Sequence, residues 1–296
     1  MKKIIIEVGS TNTKIDNYEN DKVTRIKEET ILFKKHYKEK NKLEDSDVRE
    51  LIDIVNDIKK EYDDIYVCGT SIFRNLNEKE KKDFLDYFKL QTGIDFNIIT
   101  EEDENKLTVC GATRKVNIPV CVFIGGGGST EITIYTKKEK ESINTEFGVM
   151  DVMEKFPDLA DDIAKSKLED VKDYIKKHLN LPKEKCDTLI LAGGGHLLFA
   201  LNSSIKYEKN TIYTDNNAPI MMDIETREKE TKRYYESISL DAIRKRVDNP
   251  DWWFATRAMC AFVLVVAEEI DAKVIIPTDI NMVYGIIAKE EKNDRK

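Results

Sequence analysis

Two hydrophobic rhythms alternate along this chain. Short, almost uninterrupted apolar runs bounded by turn residues read as buried strands. Between them lie longer stretches in which apolar positions return every three or four residues, as on a helix packed along one face. KIIIEV at residues 3 to 8 predicts a strand, with further strand-like segments near 12 to 16 and 22 to 32. Between residues 46 and 62, Val48, Leu51, Ile52, Val55 and Ile58 share one helical face. The pattern continues with a strand at 64 to 68 (DIYVC), a helix at 77 to 92 and a strand at 96 to 100 (FNIIT). Thr100 and Asp103 then resemble a capping box that opens a helix through Gly111.

After a boundary at Asn117-Ile118-Pro119 the pattern begins again. VCVFI, EITIYTK and ESINTE predict three strands, and helical segments cover roughly 146 to 178. DTLILAGGG at 187 to 195 reads as a buried strand that ends in a glycine turn. Residues 252 to 270 read as a helix, KVIIP as a strand, and 279 to 289 as a last helix before the charged tail EEKNDRK. The recurring order suggests a duplicated α/β unit. Its strongest local sign is that Glu7-Val8-Gly9-Ser10-Thr11 echoes Gly127-Gly128-Ser129-Thr130, each straight after an apolar run.

Composition narrows the function classes. A chain of 296 residues with 41% hydrophobic and 35% charged residues can bury a large core and suggests two domains. No apolar run reaches membrane-spanning length, and the start lacks a signal-peptide pattern, so the expected location is the cytoplasm. A net charge of -8 with mixed signs argues against a nonspecific nucleic-acid or membrane surface. Cys68, Cys110, Cys121, Cys186 and Cys260 form no CxxC pair, and His36, His178 and His196 show no ligand spacing. Hydrolytic chemistry here would have to come from carboxylates.

Four consecutive glycines, Gly125 to Gly128, stand between two strand-like runs. A hairpin needs only one or two. Bare backbone followed by Ser129 and Thr130 offers consecutive N–H groups and hydroxyls, a nest suited to phosphate oxygens. The tip Gly9-Ser10-Thr11-Asn12 offers a second, and two such tips across a cleft would grip a phosphate chain. This differs from a P-loop, whose GxxxxGK[ST] motif is absent. Gly193 to Gly195 read equally well as a third ligand loop or as a structural turn.

Taken in order, IEVGST, CGTSIFRNLN, IITEEDENKL, IGGGGSTE, INTEFGV and TDINMVYG resemble the exopolyphosphatase and guanosine pentaphosphate phosphohydrolase (Ppx/GppA) family. That family belongs to the actin, sugar kinase and heat-shock ATPase superfamily. The resemblance covers nearly the whole chain, in the short two-domain form. It implies two ribonuclease H-like (actin-like ATPase) domains with a cleft between them. The first would span 1–116, completed by the last helix at about 280–296, and the second 117–279. It further implies hydrolysis of terminal phosphate from polyphosphate or guanosine pentaphosphate, Mg2+ as cofactor, and a homodimer.

By the same resemblance the catalytic glutamate falls on Glu104 and the phosphate-contacting arginine on Arg74. Gly9, Ser10, Thr11, Asn12, Gly126, Gly127, Gly128, Ser129 and Thr130 would cradle phosphate, and Glu131, following the second loop, is the third catalytic candidate. Glu7 and Glu131 would hold the metal. Two positions depart from the family pattern. Its first aspartate is Glu7 here, and its aspartate before the glycine loop is Ile124. The closing motif also shows Val283-Tyr284-Gly285 in place of Arg-Glu before glycine. The missing acid keeps open a weakly active regulatory protein that binds polyphosphate or a guanosine penta- or tetraphosphate. A nucleotide-dependent kinase or ATPase has only the EVGSTNTK opening in its favour. The aromatic cluster Trp252-Trp253-Phe254 reads as core more readily than as an interface.

Overall fold

The structure is a computed structural model that describes residues 2–136, 140–203, 205, 207–245 and 250–293, without the side chains of residues 250–252, 292 and 293. The Trp252 side chain and the end of the expected charged tail therefore lie outside the described residues. The chain divides into two compact units, Met1–Glu104 and Asn105–Lys296.

In the first unit, β1 (Lys2–Val8), β2 (Asn12–Glu19) and β3 (Lys22–Thr30) form an antiparallel meander. On the other side of β1, β4 (Ile65–Gly69) and β5 (Phe96–Ile98) pair in parallel, giving the order β3-β2-β1-β4-β5. β1 is central and covered on both faces, which is why its sequence runs apolar instead of alternating: Ile4, Ile5, Ile6 and Val8 are all fully buried. Helices α1 (Phe33–Lys40), α2 (Asp45–Ile58) and α3 (Glu78–Thr92) complete this unit. The face predicted from Val48, Leu51, Ile52 and Val55 is the buried face of α2. Phe73, Phe84, Phe88 and Phe96 build a ring cluster with centroids 4.8 to 5.9 Å apart. A Cβ at Gly69 would stand 2.5 Å from the Phe96 ring, so this core requires glycine at the end of β4.

Of the predicted capping box one half is formed: Asp103 N donates to Thr100 Oγ1 at 3.1 Å, while the Asp103 carboxylate accepts from the Thr100 hydroxyl at 2.9 Å in place of the Thr100 backbone N–H. This cap starts α4 (Glu101–Ala112), within which the chain passes from the first unit to the second.

The second unit repeats the order on a larger scale. β6 (Val120–Gly125), β7 (Thr130–Tyr135) and β8 (Lys140–Thr145) form the antiparallel meander. β9 (Thr188–Ala192) and β12 (Val274–Pro277) extend it in parallel from β6. β11 (Ile220–Asp223) and β10 (Glu208–Lys209) then add antiparallel edges, for an order of β10-β11-β12-β9-β6-β7-β8. The helices are α5 (Val149–Lys155), α6 (Leu168–His178), α7 (His196–Leu201), α8 (Ile224–Glu236), α9 (Leu240–Arg244), α10 (Thr256–Glu269) and α11 (Met282–Asn293). Both units thus carry a meander flanked by parallel strands, the topology expected of two ribonuclease H-like domains.

Two local outcomes sharpen the sequence pattern. The helical segments expected over roughly 146 to 178 are α5, a single 3-10 turn at Pro157–Ala160 and α6, with the proline opening a new turn because it cannot continue α5. The helix expected from residue 252 begins only at Thr256, after a 3-10 turn at Pro250–Ala255. Trp253 and Phe254 are partly buried against the core of this unit, as the core reading of that cluster anticipated. At the crossing of α4 and α11, a Cβ on Gly285 would stand 1.9 Å from the Leu107 carbonyl oxygen. The closing glycine of the last motif therefore lets two helix backbones touch.

Candidate active site

In the first unit the β1–β2 turn is a two-residue hairpin closed by Gly9 N donating to Asn12 O at 2.9 Å. Its tip is tied down from two sides. Lys34 N donates to Ser10 O at 2.9 Å, and Ser10 Oγ lies 2.5 Å from Ser71 Oγ. Ser71 opens the 3-10 turn Ser71–Asn75, which also carries Arg74. Arg74 Nε donates to Ile99 O at 2.7 Å, and its Nη2 donates to Glu104 Oε2 in a salt bridge. Two residues singled out separately in the sequence, 30 positions apart, are thereby in direct contact.

Glu7, two residues before the tip, is mostly covered, its side chain 14% exposed, with Lys14 Nζ 3.7 Å away. Burial pushes the Glu7 carboxyl above its ordinary range; Lys14 works against this, and the charges of Glu104 and Asp16 add to it. Asp16 itself is neutralised by Arg25, whose Nε approaches to 2.6 Å. Glu7 therefore sits in a field that favours a cation or a proton beside it.

The second hairpin has the same closure, Gly126 N donating to Ser129 O at 2.8 Å, with Gly127 and Gly128 at its tip. The carbonyls of Gly126 and Gly127 accept from Val149 N at 3.1 Å and Met150 N at 2.8 Å, which open α5. The N–H groups of Gly127, Gly128 and Ser129 meet no acceptor among the described residues. None of the four glycines has a positive φ. A Cβ would collide with Met259 at Gly125 and press on Ser129 O at Gly126, yet it would have open space at Gly128. The fold explains the first two glycines and leaves Gly128 to another requirement.

Thr130 is buried, and its hydroxyl donates to Phe147 O at 2.8 Å, so it braces the loop's base. Glu131 is buried on β7, and Ile124 pairs directly opposite it. Hairpin register revises the sequence echo between the two halves. Gly9-Ser10-Thr11-Asn12 corresponds to Gly126-Gly127-Gly128-Ser129, which sets Glu7 against Ile124 and Lys14 against Glu131. Each hairpin keeps one acid beside its tip, on opposite strands.

A model of the Ppx/GppA phosphatase family matches residues 13–246. The chain belongs to that family. No curated protein shows a significant match to the sequence. Among solved structures, the Aquifex aeolicus Ppx/GppA family member is 20% identical, with 100% of this chain and 99% of that one covered and a TM-score of 0.75. The type II variant of the Aquifex aeolicus Ppx/GppA phosphatase is 18% identical, with coverage of 98% and 99% and a TM-score of 0.73. An exopolyphosphatase from Cytophaga hutchinsonii is 14% identical, with coverage of 99% and 98% and a TM-score of 0.64. These likenesses establish that the family fold extends over the whole chain.

Within this family member the third glycine turn has a structural task. Gly193, Gly194 and Gly195 have φ of 97°, 119° and 77°, values that L side chains rarely adopt. Gly193 N donates to Ile280 O at 2.8 Å. Asp279, from the closing motif, accepts from Leu197 N at 2.9 Å and Leu198 N at 3.2 Å and so caps α7. Burial raises the Asp279 pKa, against the lowering effect of those N–H groups. Sequence reasoning missed both this cap and Lys14 beside Glu7; a TD pair and a lone strand lysine carry no local signature of such roles.

Among the described residues, no three His, Cys, Asp or Glu side chains converge to hold a metal ion. Among the described residues, no helix is long and apolar enough to cross a membrane. Mg2+ commonly takes only one or two carboxylates and completes its shell with phosphate oxygens and water. Glu7, buried and crowded by other acids, fits that sparse pattern.

Proposed function

We propose that this chain hydrolyses the terminal phosphoanhydride of inorganic polyphosphate or of guanosine pentaphosphate. The contact between Arg74 and Glu104 carries the reading: it joins a phosphate-binding cation to a carboxylate able to take a proton from water. As a phosphate oxygen takes over the Arg74 Nη groups, the Glu104 carboxylate is released toward the attacking water. Water adds to the terminal phosphorus, the bridging P–O bond breaks, and the proton passes to Glu104 and then to a phosphate product. The N–H groups of Gly127, Gly128 and Ser129 offer charge-stabilising donors for phosphate oxygens. Ser10, Thr11 and Asn12 supply the corresponding tip in the first unit. Magnesium, when bound, would offset charge growing on the phosphate oxygens; Glu7 is the candidate carboxylate of the first unit and Glu131 that of the second. The named exopolyphosphatase among the structural relatives is in keeping with this substrate class.

The isoleucine at 124 favours a second reading, in which the chain binds polyphosphate or a guanosine penta- or tetraphosphate and turns it over slowly. Phosphate release and equilibrium binding, measured in parallel on long-chain polyphosphate and guanosine pentaphosphate with and without Mg2+, separate the two. Release abolished by Arg74→Ala supports hydrolysis. Binding without release supports the regulatory reading, and absence of both removes the site from consideration.

A further inference from the structure

The second unit contains a cavity of about 410 Å³ beside the glycine hairpin, and most of its lining has no part in the proposed hydrolysis. That volume lies within the range of small-molecule sites. Its walls include Trp253, stacked on Phe199 with centroids 4.9 Å apart, together with Phe254 and Met259. Into this apolar setting α8 places Arg227, which is 5% exposed. Its Nη2 donates to Cys260 Sγ at 3.3 Å, a weak acceptor, and its Nε has no partner among the described residues. Glu230, one turn further along α8, accepts from the Tyr234 hydroxyl at 2.5 Å and the Tyr207 hydroxyl at 3.3 Å. No carboxylate forms an ion pair with Arg227 among the described residues. Burial disfavours the Arg227 charge and neighbouring groups, Glu230 among them, favour it, yet the Nε donor stays unmet, which is costly unless an acceptor reaches it.

Two further observations point the same way. Thr256 also lines the cavity, and its buried hydroxyl is likewise without a partner among the described residues. Thr256 begins α10, a 14-residue helix with no side-chain cap and no acid in its first turn, so the positive end of its dipole is uncompensated there. His196, also on the wall, is held neutral: burial lowers its pKa to about 3, with the Arg227 charge adding to the effect.

We propose that this cavity binds a small organic monocarboxylate with a flat apolar body. The carboxylate takes the Nε and Nη2 edge of Arg227 side-on, displacing the thiol contact, and accepts a hydrogen bond from Thr256. The body lies against Trp253, Phe254 and Met259. Phosphate is a poorer match, since the cavity offers one cation and walls that are mainly carbon. Gly125, Gly126 and Gly127 also line the space, so an occupant would touch the underside of the second hairpin.

Titration calorimetry and tryptophan fluorescence of the full chain with 2-naphthoate and its neutral carboxamide test the proposal. The acid should bind one to one and roughly tenfold or more tighter than the amide, the worth of a charge-assisted hydrogen bond. Arg227→Met, checked for its native circular dichroism, should erase that difference, and Thr256→Val should weaken the acid. If Arg227→Met fails to fold, the comparison of acid with amide on the natural protein still decides. Equal affinity for acid and amide, or binding of neither at millimolar concentration, overturns the proposal. Binding of guanosine in place of the acid would overturn it too and reassign the cavity to a nucleobase. No step of this test depends on turnover, so loss of the hydrolase reading leaves its outcome intact.

Discussion

Replacing Glu104 by glutamine should move rate and affinity in opposite directions. In the substrate-free chain Arg74 Nε is committed to Ile99 O, so phosphate can reach only the Nη groups, one of which holds Glu104. Binding must therefore break an ion pair whose side chains are 22% and 37% exposed. Pairs in such settings are worth roughly 0.2 to 1 kcal/mol. A glutamine amide oxygen still accepts from Arg74 without the charge, so the competitor is weakened and its repulsion of a polyanion is removed. Affinity for polyphosphate should tighten by roughly 1.5- to 5-fold. Loss of the base should at the same time lower phosphate release by roughly 100- to 10,000-fold. Calorimetric titration with a short polyphosphate and a coupled phosphate assay read the two quantities separately. A variant that binds more weakly than the natural protein, or that keeps its turnover, would refute the competition argument and Glu104 as the base.

Three other changes test neighbouring parts of the argument. Ile124→Asp places a carboxylate directly opposite Glu131, so without metal the melting temperature should fall; Mg2+ should restore it and raise phosphate release, and indifference to Mg2+ would place metal binding elsewhere. Glu7→Gln should melt higher than the natural protein at pH 7, because the raised pKa means that ionised Glu7 costs folding free energy. Its advantage should fade as pH falls through the raised pKa and vanish below the ordinary value of 4.5, where the natural carboxyl is protonated in both states; an advantage that grows on acidification would contradict the sign. Arg257, fully buried, donates to the carbonyls of Tyr234, Leu159, Asp161, Asp162 and Ile238 at 2.6 to 3.0 Å. Arg257→Lys keeps the charge but cannot reproduce that fork, and two acceptors left unmet should cost roughly 2 to 6 kcal/mol in urea unfolding; a loss below about 1 kcal/mol would show that the carbonyls find other donors.

The sequence was most informative where one residue type has one physical use. The apolar run of β1, the stripe of α2 and the Thr100 N-cap of α4 each specify an element by period or cap, and each is present. The α8 segment was opaque because its buried stripe is Arg227, Glu230, Thr231, Tyr234 and Tyr235, which a hydrophobicity pattern reads as solvent-facing. Arg74 and Glu104 were individually legible, but their contact depends on the 3-10 turn after β4 and the start of α4 meeting in space. The echo between the halves was real and displaced: matching Ser-Thr letters aligned Ser10 with Ser129, while the closing hydrogen bonds align Ser10 with Gly127. Backbone geometry, which letters do not encode, set the true correspondence.

The hydrogen bonds from α5 to the glycine tip bear on how quickly a ligand can be held. A trans peptide fixes its C=O and N–H in opposite directions. With the carbonyls of Gly126 and Gly127 anchored on Val149 and Met150, the N–H groups of Gly127 and Gly128 must aim away from the helix. The conformational freedom for which glycine is known has thus been surrendered during folding, before any phosphate arrives. Capture then requires no loop rearrangement, and anion exchange at this tip should be limited by diffusion and desolvation instead of by backbone motion.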